Sequence, residues 1–239
     1  MSAATPAPAV LLLPGMMLSA AMYAHQLCAF AKDYAVGVAD LTRASSIGRM
    51  AADLLERAPG RFALAGLSMG GIVALEMWRQ APERITHLAL LDTTPFADHP
   101  DRQQLRLEQM AQVEAGQLQE VLTRGMKPLY LASKNRSDTS LLRSVLQMGL
   151  DLGPEVFHRQ SVALRERPDS VGTLPTITCP TLVLCGREDQ LCPPEWHADM
   201  ARAISKADLV VLAECGHLSA MEEPQAVTNA LLHLFGRSE

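Results

Sequence analysis

The amino-acid sequence predicts an α/β fold, with a mostly parallel sheet of about six strands, flanking helices and an inserted helical lid. Short, continuous apolar runs recur along the chain, which is typical of strands buried on both faces, and helical patterns separate most of them. Such alternation implies right-handed βαβ units in an open sheet. A long stretch without strand-like runs interrupts the pattern and predicts the lid.

Six apolar runs predict the strands of this sheet. They are VLLLPG at 10–15, YAVGVADL at 34–41, FALAGLS at 62–68, ITHLALLD at 85–92, TLVLCG at 181–186 and DLVVLAECG at 208–216. Parallel strands all end at the same edge of their sheet, so residues that directly follow these runs are expected to lie close together.

Helices are predicted between the strands. The apolar residues from Ile47 to Ala58 keep an i, i+3, i+4, i+7 spacing, with Ser45 or Ser46 as the N-cap. A second helix is predicted over Met69–Gln80, and a third follows Pro224, where the apolar residues Val227, Ala230, Leu231 and Leu234 repeat the spacing.

Residues 96–178 are predicted to form the helical lid, and residues 1–95 and 179–239 the core. This stretch has no strand-like run but several amphipathic segments, one of which contains Leu118, Val121, Leu122, Met126, Leu129 and Tyr130. A structureless crossover of this length would be unusual in a compact domain, so the segment should carry helices of its own.

Composition narrows the class of protein. The chain has 239 residues, 48% of them hydrophobic, and a net charge of -5, which fits an acidic globular protein and makes nucleic acid an unexpected partner. The N-terminal apolar run ends at Pro14 and has no basic residues before it, so it resembles neither a signal peptide nor a membrane span. We expect a cytoplasmic protein without a membrane partner.

No bound metal or cofactor is expected. The sequence contains no HExxH motif, no GxGxxG and no Walker loop, and it shows no closely spaced His, Cys and carboxylate cluster. The five cysteines form no CxxC pair, and their odd number favours reduced thiols.

One motif carries chemistry. Gly66-Leu67-Ser68-Met69-Gly70 matches GxSxG and lies between a predicted strand and a predicted helix, where that motif holds a serine nucleophile on a sharp turn. The alternative is a serine in an ordinary tight turn. A nucleophilic serine needs a base to accept its proton and a carboxylate to orient that base.

The other predicted strand ends supply both groups. Asp189 follows the fifth apolar run and His217 follows the sixth, so these residues and Ser68 should meet at one sheet edge. Asp92 also lies at a strand end and is the alternative acid, or else an acceptor of N–H groups in the following turn.

With these motifs the chain resembles the α/β-hydrolase fold family, particularly its single-domain esterases with a helical cap. The similarity extends from LLLPGM through GLSMGG, LLDTTP and GREDQLCP to GHLSAMEEP. The resemblance implies that Ser68 is the nucleophile, His217 the general base and acid, and Asp189 its orienting acid. It further implies an oxyanion hole formed by the backbone N–H groups of Met16 and Met69.

Two features depart from that family. Its members usually have His-Gly in the loop after the first parallel strand, whereas this chain has Pro14-Gly15, which removes a bracing side chain and a backbone donor. The first predicted strand also corresponds to the family's third, so the usual first antiparallel hairpin is not expected.

The expected substrate pocket is apolar. Met126, Leu129, Met148 and Phe157 are predicted to line it, since methionine adapts to varied apolar groups, and this favours a small apolar acyl group or ring. Arg159, Arg165 and Arg167 could bind a carboxylate at the lid, although charged helix faces are usually just solvated.

The resulting hypothesis is a serine hydrolase, a carboxylesterase, that cleaves a small-molecule ester through an acyl-enzyme intermediate. The fold alone does not separate esters from thioesters, lactones or carbon–carbon bonds. A lyase, a cofactorless oxygenase or an acyltransferase on the same fold is one alternative class. A non-catalytic small-molecule binding protein or receptor is another.

Overall fold

The computed structural model describes residues 9–126 and 129–238, with backbone alone at 125 and 126. The described part contains one sheet of six parallel strands in the order β2-β1-β3-β4-β5-β6. The strands are β1 (Ala9–Leu13), β2 (Ala35–Val38), β3 (Phe62–Leu67), β4 (Ile85–Leu91), β5 (Thr181–Gly186) and β6 (Ala207–Leu212). The predicted α/β fold with about six strands is confirmed, and each strand lies within or overlaps its predicted run.

Nine α-helices occur in the same described ranges. They are α1 (Ala24–Phe30), α2 (Ile47–Arg57), α3 (Met69–Gln80), α4 (Pro100–Glu114), α5 (Leu118–Glu120), α6 (Thr139–Arg165), α7 (Pro194–Ala203), α8 (Ser219–Glu222) and α9 (Pro224–Phe235). The helix predicted over Met69–Gln80 has those bounds, and α2 and α9 lie where their spacing predicted them.

Two apolar layers cover the sheet. Successive strand residues point to opposite faces, so Leu64 and Leu88 pack with α2, α3 and α7, whereas Ala65 and Ala89 pack with α1 and α9. Burying a large aliphatic side chain contributes roughly 1.5–3 kcal/mol, so these layers dominate the stability of the domain.

The direction of strand addition reverses between β1 and β3. The chain first adds β2 on one side of β1 and then crosses back to add β3 on the other. The loops after β1 and β3 therefore diverge and leave a crevice at their carboxyl ends, which is where open α/β sheets bind ligands.

The insertion between β4 and β5 is helical. Residues 95–126 and 129–178 contain no strand, and they form α4, α5, α6 and short 3-10 turns. The amphipathic segment after Leu118 forms one short α-turn and then a π-helix over Val121–Met126. Helix α6 is kinked because Gly153 has a φ of 79° and Pro154 lacks an N–H. Within the described ranges, every helix is too short or too polar to cross a membrane.

Candidate active site

Ser68 occupies a strained turn between β3 and α3. Its φ is 56°, a left-handed conformation that costs energy in any residue with a Cβ. Its N–H donates to the Leu91 carbonyl of β4 at 2.9 Å, which fixes the turn to the sheet. Ser68 itself is partly exposed, although the strand and the start of the helix beside it are buried. The turn thus presents the hydroxyl group to the crevice.

The glycines around Ser68 permit very close backbone contacts. A Cβ on Gly66 would lie 2.2 Å from the Gly70 carbonyl oxygen, and a Cβ on Gly70 would lie 2.1 Å from the Leu13 carbonyl oxygen. A Cβ on Gly71 would lie 2.5 Å from the Thr93 hydroxyl oxygen. These positions require glycine because the backbone itself, or a buried threonine, fills the space.

His217 connects Ser68 to an acid. Its Nε2 lies 2.8 Å from Ser68 Oγ, and its Nδ1 lies 2.8 Å from Asp189 Oδ2. Its own backbone N–H donates to the Tyr130 carbonyl at 2.7 Å, which fixes the loop after β6. Burial disfavours the protonated ring, but the Asp189 carboxylate outweighs this effect, and the pKa of His217 is raised above its ordinary value.

Asp189 is held as an anion. Its Oδ1 accepts the N–H groups of Leu191 and Cys192, both at 2.9 Å. Burial opposes ionisation, but the charge and hydrogen bond of His217 and these two N–H donors outweigh it, so that the pKa of Asp189 lies below its usual value. A carboxylate held in this way can orient an imidazole ring and stabilise its protonated form.

Asp92, the alternative acid, has different partners. Its Oδ1 accepts the Gly186 N–H at 3.2 Å, and its Oδ2 accepts the Ser219 N–H at 3.1 Å. Its side chain is fully buried, and burial together with the nearby Asp189 charge raises its pKa. The imidazole of His217 thus hydrogen-bonds Asp189, and Asp92 joins the end of β5 to the start of α8.

The loop after β1 lies against Ser68. A Cβ on Gly15 would be 3.4 Å from Ser68 Cβ, and Met16 and Met69 border the same cavity as Ser68. Met69 is the first residue of α3, so its N–H has no acceptor within the helix. Met16 and Met69, whose N–H groups the sequence predicts as donors, therefore border the same cavity as Ser68.

Gln160 of α6 braces this loop. Its Oε1 accepts the Met17 N–H at 2.8 Å, and its Nε2 donates to the Leu41 carbonyl at 3.1 Å. Met17 has a φ of 55°, a conformation that needs support from its surroundings. Pro14 removes the side chain that usually braces this loop in the family, and here a buried amide from the insertion does so. The sequence offered no signal for Gln160, which lies in an amphipathic helix far from the loop.

A cavity opens beside Ser68 and His217. Its volume is about 190 Å³, and its apolar lining comprises Met16, Met69, Ile72, Leu105, Leu129 and Leu164 among others. Leu129 is thus at the predicted pocket, but Met148 and Phe157 are not. Both pack in the buried core, because these two positions of α6 face the apolar layers that cover the sheet, and their assignment to the pocket is corrected. The side chain of Met126 lies outside the described residues.

The cavity has more positive charge than the sequence predicted. Arg102, Arg106 and Arg167 line it. Of the arginines considered from sequence, Arg159 instead donates to the Thr42 carbonyl and Arg165 pairs with Glu166. Arg102 and Arg106 lie on α4, whose sequence pattern does not show which face meets the cavity.

Two further buried groups support the Ser68 turn. The Thr93 hydroxyl donates to the Ser68 carbonyl at 2.7 Å, and the Thr93 N–H donates to His197 Nε2 at 3.0 Å. Burial lowers the pKa of His197 to about 4, so the ring stays neutral and can accept this bond. The hydrogen bonds run from α7 through Thr93 to the backbone of Ser68.

Glu222 of α8 links the insertion to the His217 loop. Its Oε1 accepts the Gly216 N–H at 2.9 Å, and its Oε2 accepts the Ala132 N–H at 2.7 Å. In the sequence, the acidic pair Glu222-Glu223 follows closely after His217, but such a pair is equally typical of a solvated turn.

One group of potential metal ligands is present among the described residues. Ligand atoms of Asp189, Cys192 and His217 lie within 4.8 Å of one another. Burial raises the pKa of the Cys192 thiol well above its ordinary value, and a protonated thiol is a poor ligand. His217 Nδ1 is hydrogen-bonded to Asp189, so the group suits proton transfer better than metal binding.

Comparison with known proteins identifies the family of this chain. A sequence model of the alpha/beta hydrolase family matches residues 10–230, and the chain belongs to that family. A thermophilic esterase from Thermogutta terrifontis has a similar structure, with a TM-score of 0.87 and 30% identity, covering 95% of this chain and 89% of that one.

Two other similar proteins extend the comparison. The pimeloyl-[acyl-carrier protein] methyl ester esterase of Nitrosomonas europaea is 26% identical over 186 residues, which is 75% of this chain and 73% of the relative. The enol-lactonase of Burkholderia xenovorans LB400 shares the fold, with a TM-score of 0.87 at 20% identity, covering 98% of this chain and 93% of that one.

Proposed function

We propose that this protein is a carboxylic ester hydrolase that uses Ser68, His217 and Asp189 as a catalytic triad. The observation that carries the proposal is the continuous hydrogen-bonded series from Ser68 Oγ through His217 to Asp189 at the wall of a cavity. A binding protein would need no such activated hydroxyl group. The esterases among the similar proteins support the same class of reaction.

Acylation begins when Ser68 Oγ attacks the ester carbonyl carbon and its proton passes to His217 Nε2. The carbonyl oxygen becomes an oxyanion, which accepts hydrogen bonds from the backbone N–H groups of Met16 and Met69. Each donor of this kind is typically worth about a hundredfold to a thousandfold in rate. The Asp189 carboxylate stabilises the imidazolium, which then protonates the departing alkoxide as the carbon–oxygen bond breaks.

Deacylation repeats these steps with water. His217 Nε2 accepts a proton from the water molecule as its oxygen attacks the acyl carbon. Collapse of the second tetrahedral intermediate breaks the bond to Ser68 Oγ, which takes the proton back from His217. The products are a carboxylic acid and an alcohol, and the site returns to its starting state.

The cavity supports a small ester with an apolar portion as the substrate. Most of its lining is apolar, and its volume of about 190 Å³ suits a small molecule. In this proposal residues 96–178 form the lid, and Leu105 and Leu129 on the insertion cover the acyl group. The core comprises residues 1–95 and 179–239.

The test is covalent labelling with a serine-directed fluorophosphonate, followed by intact-mass spectrometry. Wild type should gain a single adduct, Ser68→Ala should gain none, and Ser144→Ala, which removes an exposed hydroxyl on α6, should label like wild type. Ester hydrolysis by Ser68→Ala should fall by about a millionfold, since the triad acts as a unit. A folded wild type that gains no adduct and hydrolyses no ester would overturn the proposal.

A further inference from the structure

Arg102 is a cationic side chain of the cavity wall without an acidic partner among the described residues. It lies on α4 and lines the same cavity as Ser68 and His217. Its Nη2 donates to the Leu191 carbonyl at 2.9 Å. A guanidinium has five N–H donors, so most of its hydrogen-bonding capacity is available to a molecule in the cavity.

The two other arginines that line the cavity share a single acidic partner. Arg106 Nε and Arg167 Nη1 each lie 2.7 Å from a different oxygen of Asp98, whose side chain is fully buried. One carboxylate thus serves two guanidinium groups. The lining that the structure describes contains Arg102, Arg106 and Arg167 but no aspartate or glutamate, so this side of the cavity is strongly cationic.

Such a wall attracts and orients an anion. Charged groups that line a cleft with apolar walls concentrate their field there, because less water screens it. The planar fork of arginine matches a carboxylate through two parallel N–H···O bonds. The cavity is small and otherwise mainly apolar, which fits a planar carboxylate joined to an aliphatic chain better than a bulkier, more highly charged phosphate.

We propose that the substrate is an ester bearing a free carboxylate, such as the monoester of a dicarboxylic acid, and that Arg102 binds that carboxylate. This inference rests on the proposed esterase function. The ester carbonyl lies at Ser68, the aliphatic chain contacts the apolar lining and the far carboxylate meets the guanidinium. The sequence favoured a small apolar acyl group, although arginines of the insertion could bind a carboxylate. The arginines that line the cavity favour the carboxylate.

The experiment compares two sets of substrates matched in chain length. Monomethyl esters of linear dicarboxylic acids carry the far carboxylate, and methyl esters of linear monocarboxylic acids lack it. The readout is the ratio of kcat/KM for the anionic ester to that for the neutral ester. Wild type should prefer an anionic ester, and Arg102→Gln should lower the ratio about ten- to hundredfold, as expected when a hydrogen bond to a charged group is lost.

Matched variants separate recognition from a structural role. Arg102→Gln replaces the guanidinium with an uncharged donor, whereas Arg102→Lys keeps the charge and should recover part of the ratio. Arg143→Gln removes an exposed guanidinium on α6, outside the cavity, and should leave the ratio as in wild type. A ratio that Arg102→Gln leaves unchanged would overturn the inference.

The remaining outcomes also decide between the two proposals. Ser68-dependent hydrolysis with no preference for anionic esters overturns the carboxylate site and leaves the esterase function standing. Absence of hydrolysis and of fluorophosphonate labelling overturns the esterase function itself. If a phosphonate analogue is preferred to the carboxylate, the anion has been assigned wrongly.

Discussion

The two walls of the cavity are built in different ways. The wall at the strand ends, with Ser68 and His217, is held by backbone contacts so close that a single added Cβ would collide with them. The facing wall is made of side chains from the insertion, and two of them, Leu105 and Leu129, are 48% and 38% exposed. The turns of the first wall therefore tolerate almost no added side-chain atoms, whereas the exposed side chains of the second wall can change without disturbing the fold.

The largest expected effect is loss of the acid at the strand-end wall. Asp189→Asn should lower kcat for ester hydrolysis about ten-thousandfold, because the neutral amide favours the wrong tautomer of His217 and does not stabilise its protonated form. Steady-state kinetics measures this loss. Asp92→Asn is the control at the neighbouring buried carboxylate, and should lower the free energy of unfolding by about 1–3 kcal/mol while changing kcat less than tenfold. Equal loss of kcat in both variants would contradict the distinct roles of the two acids.

The next-largest effect is a loss of stability when a glycine of the Ser68 turn gains a side chain. Gly70→Ala should lower the free energy of unfolding by about 3–5 kcal/mol, since the new methyl group would lie 2.1 Å from the Leu13 carbonyl oxygen. Urea denaturation measures the change. Gly60→Ala is the matched control, because a Cβ there meets nothing within 4 Å. A Gly70→Ala protein as stable as Gly60→Ala would refute the close contact.

The third effect is a pH dependence of stability that arises from His197. Its folded-state pKa of about 4 lies below the ordinary value of 6.5, so the unfolded chain binds the proton more tightly. Its contribution to stability is present above pH 6.5 and is lost as the pH falls toward 4, by about 3 kcal/mol. Denaturation at several pH values should show a flatter profile for His197→Gln than for wild type. Parallel profiles would be inconsistent with a neutral buried His197.

The smallest effect on stability belongs to the insertion wall. Leu105→Ala should change the free energy of unfolding by less than about 0.5 kcal/mol, but raise KM for longer esters about three- to tenfold through lost apolar contact. Leu107→Ala is the control on the same helix, since Leu107 is similarly exposed at 43% but does not line the cavity. Equal KM values in the two variants would show that Leu105 does not contact substrate.

The same contrast explains what the sequence could predict. The strands form from continuous apolar runs, and the Ser68 turn carries the GxSxG motif between a strand and a helix, so the positions of both follow from the pattern of residues. The predicted Ser68, Asp189 and His217 also lie together, because parallel strands share one edge. These features require no knowledge of how distant surfaces pack.

The insertion wall depends on docking that one sequence does not display. Phe157 and Met148 have the same apolar character as Leu129, yet the rotation of α6 turns them into the core. Arg102 lies on a helix with weak amphipathic character, so periodicity did not show that it meets the cavity. Gln160 becomes informative only when α6 is seen against the loop after β1.

Glu222 has a consequence for domain exchange. Its carboxylate joins the insertion backbone at Ala132 to the core backbone at Gly216, next to His217. A chimera that grafts another protein's insertion onto this core must preserve an N–H donor at the position of Ala132. Without it, Glu222 loses one of its hydrogen bonds to the insertion, which weakens the contact between the insertion and the loop that carries His217. Exchange of the insertion is therefore constrained by a core side chain that lies outside the exchanged segment.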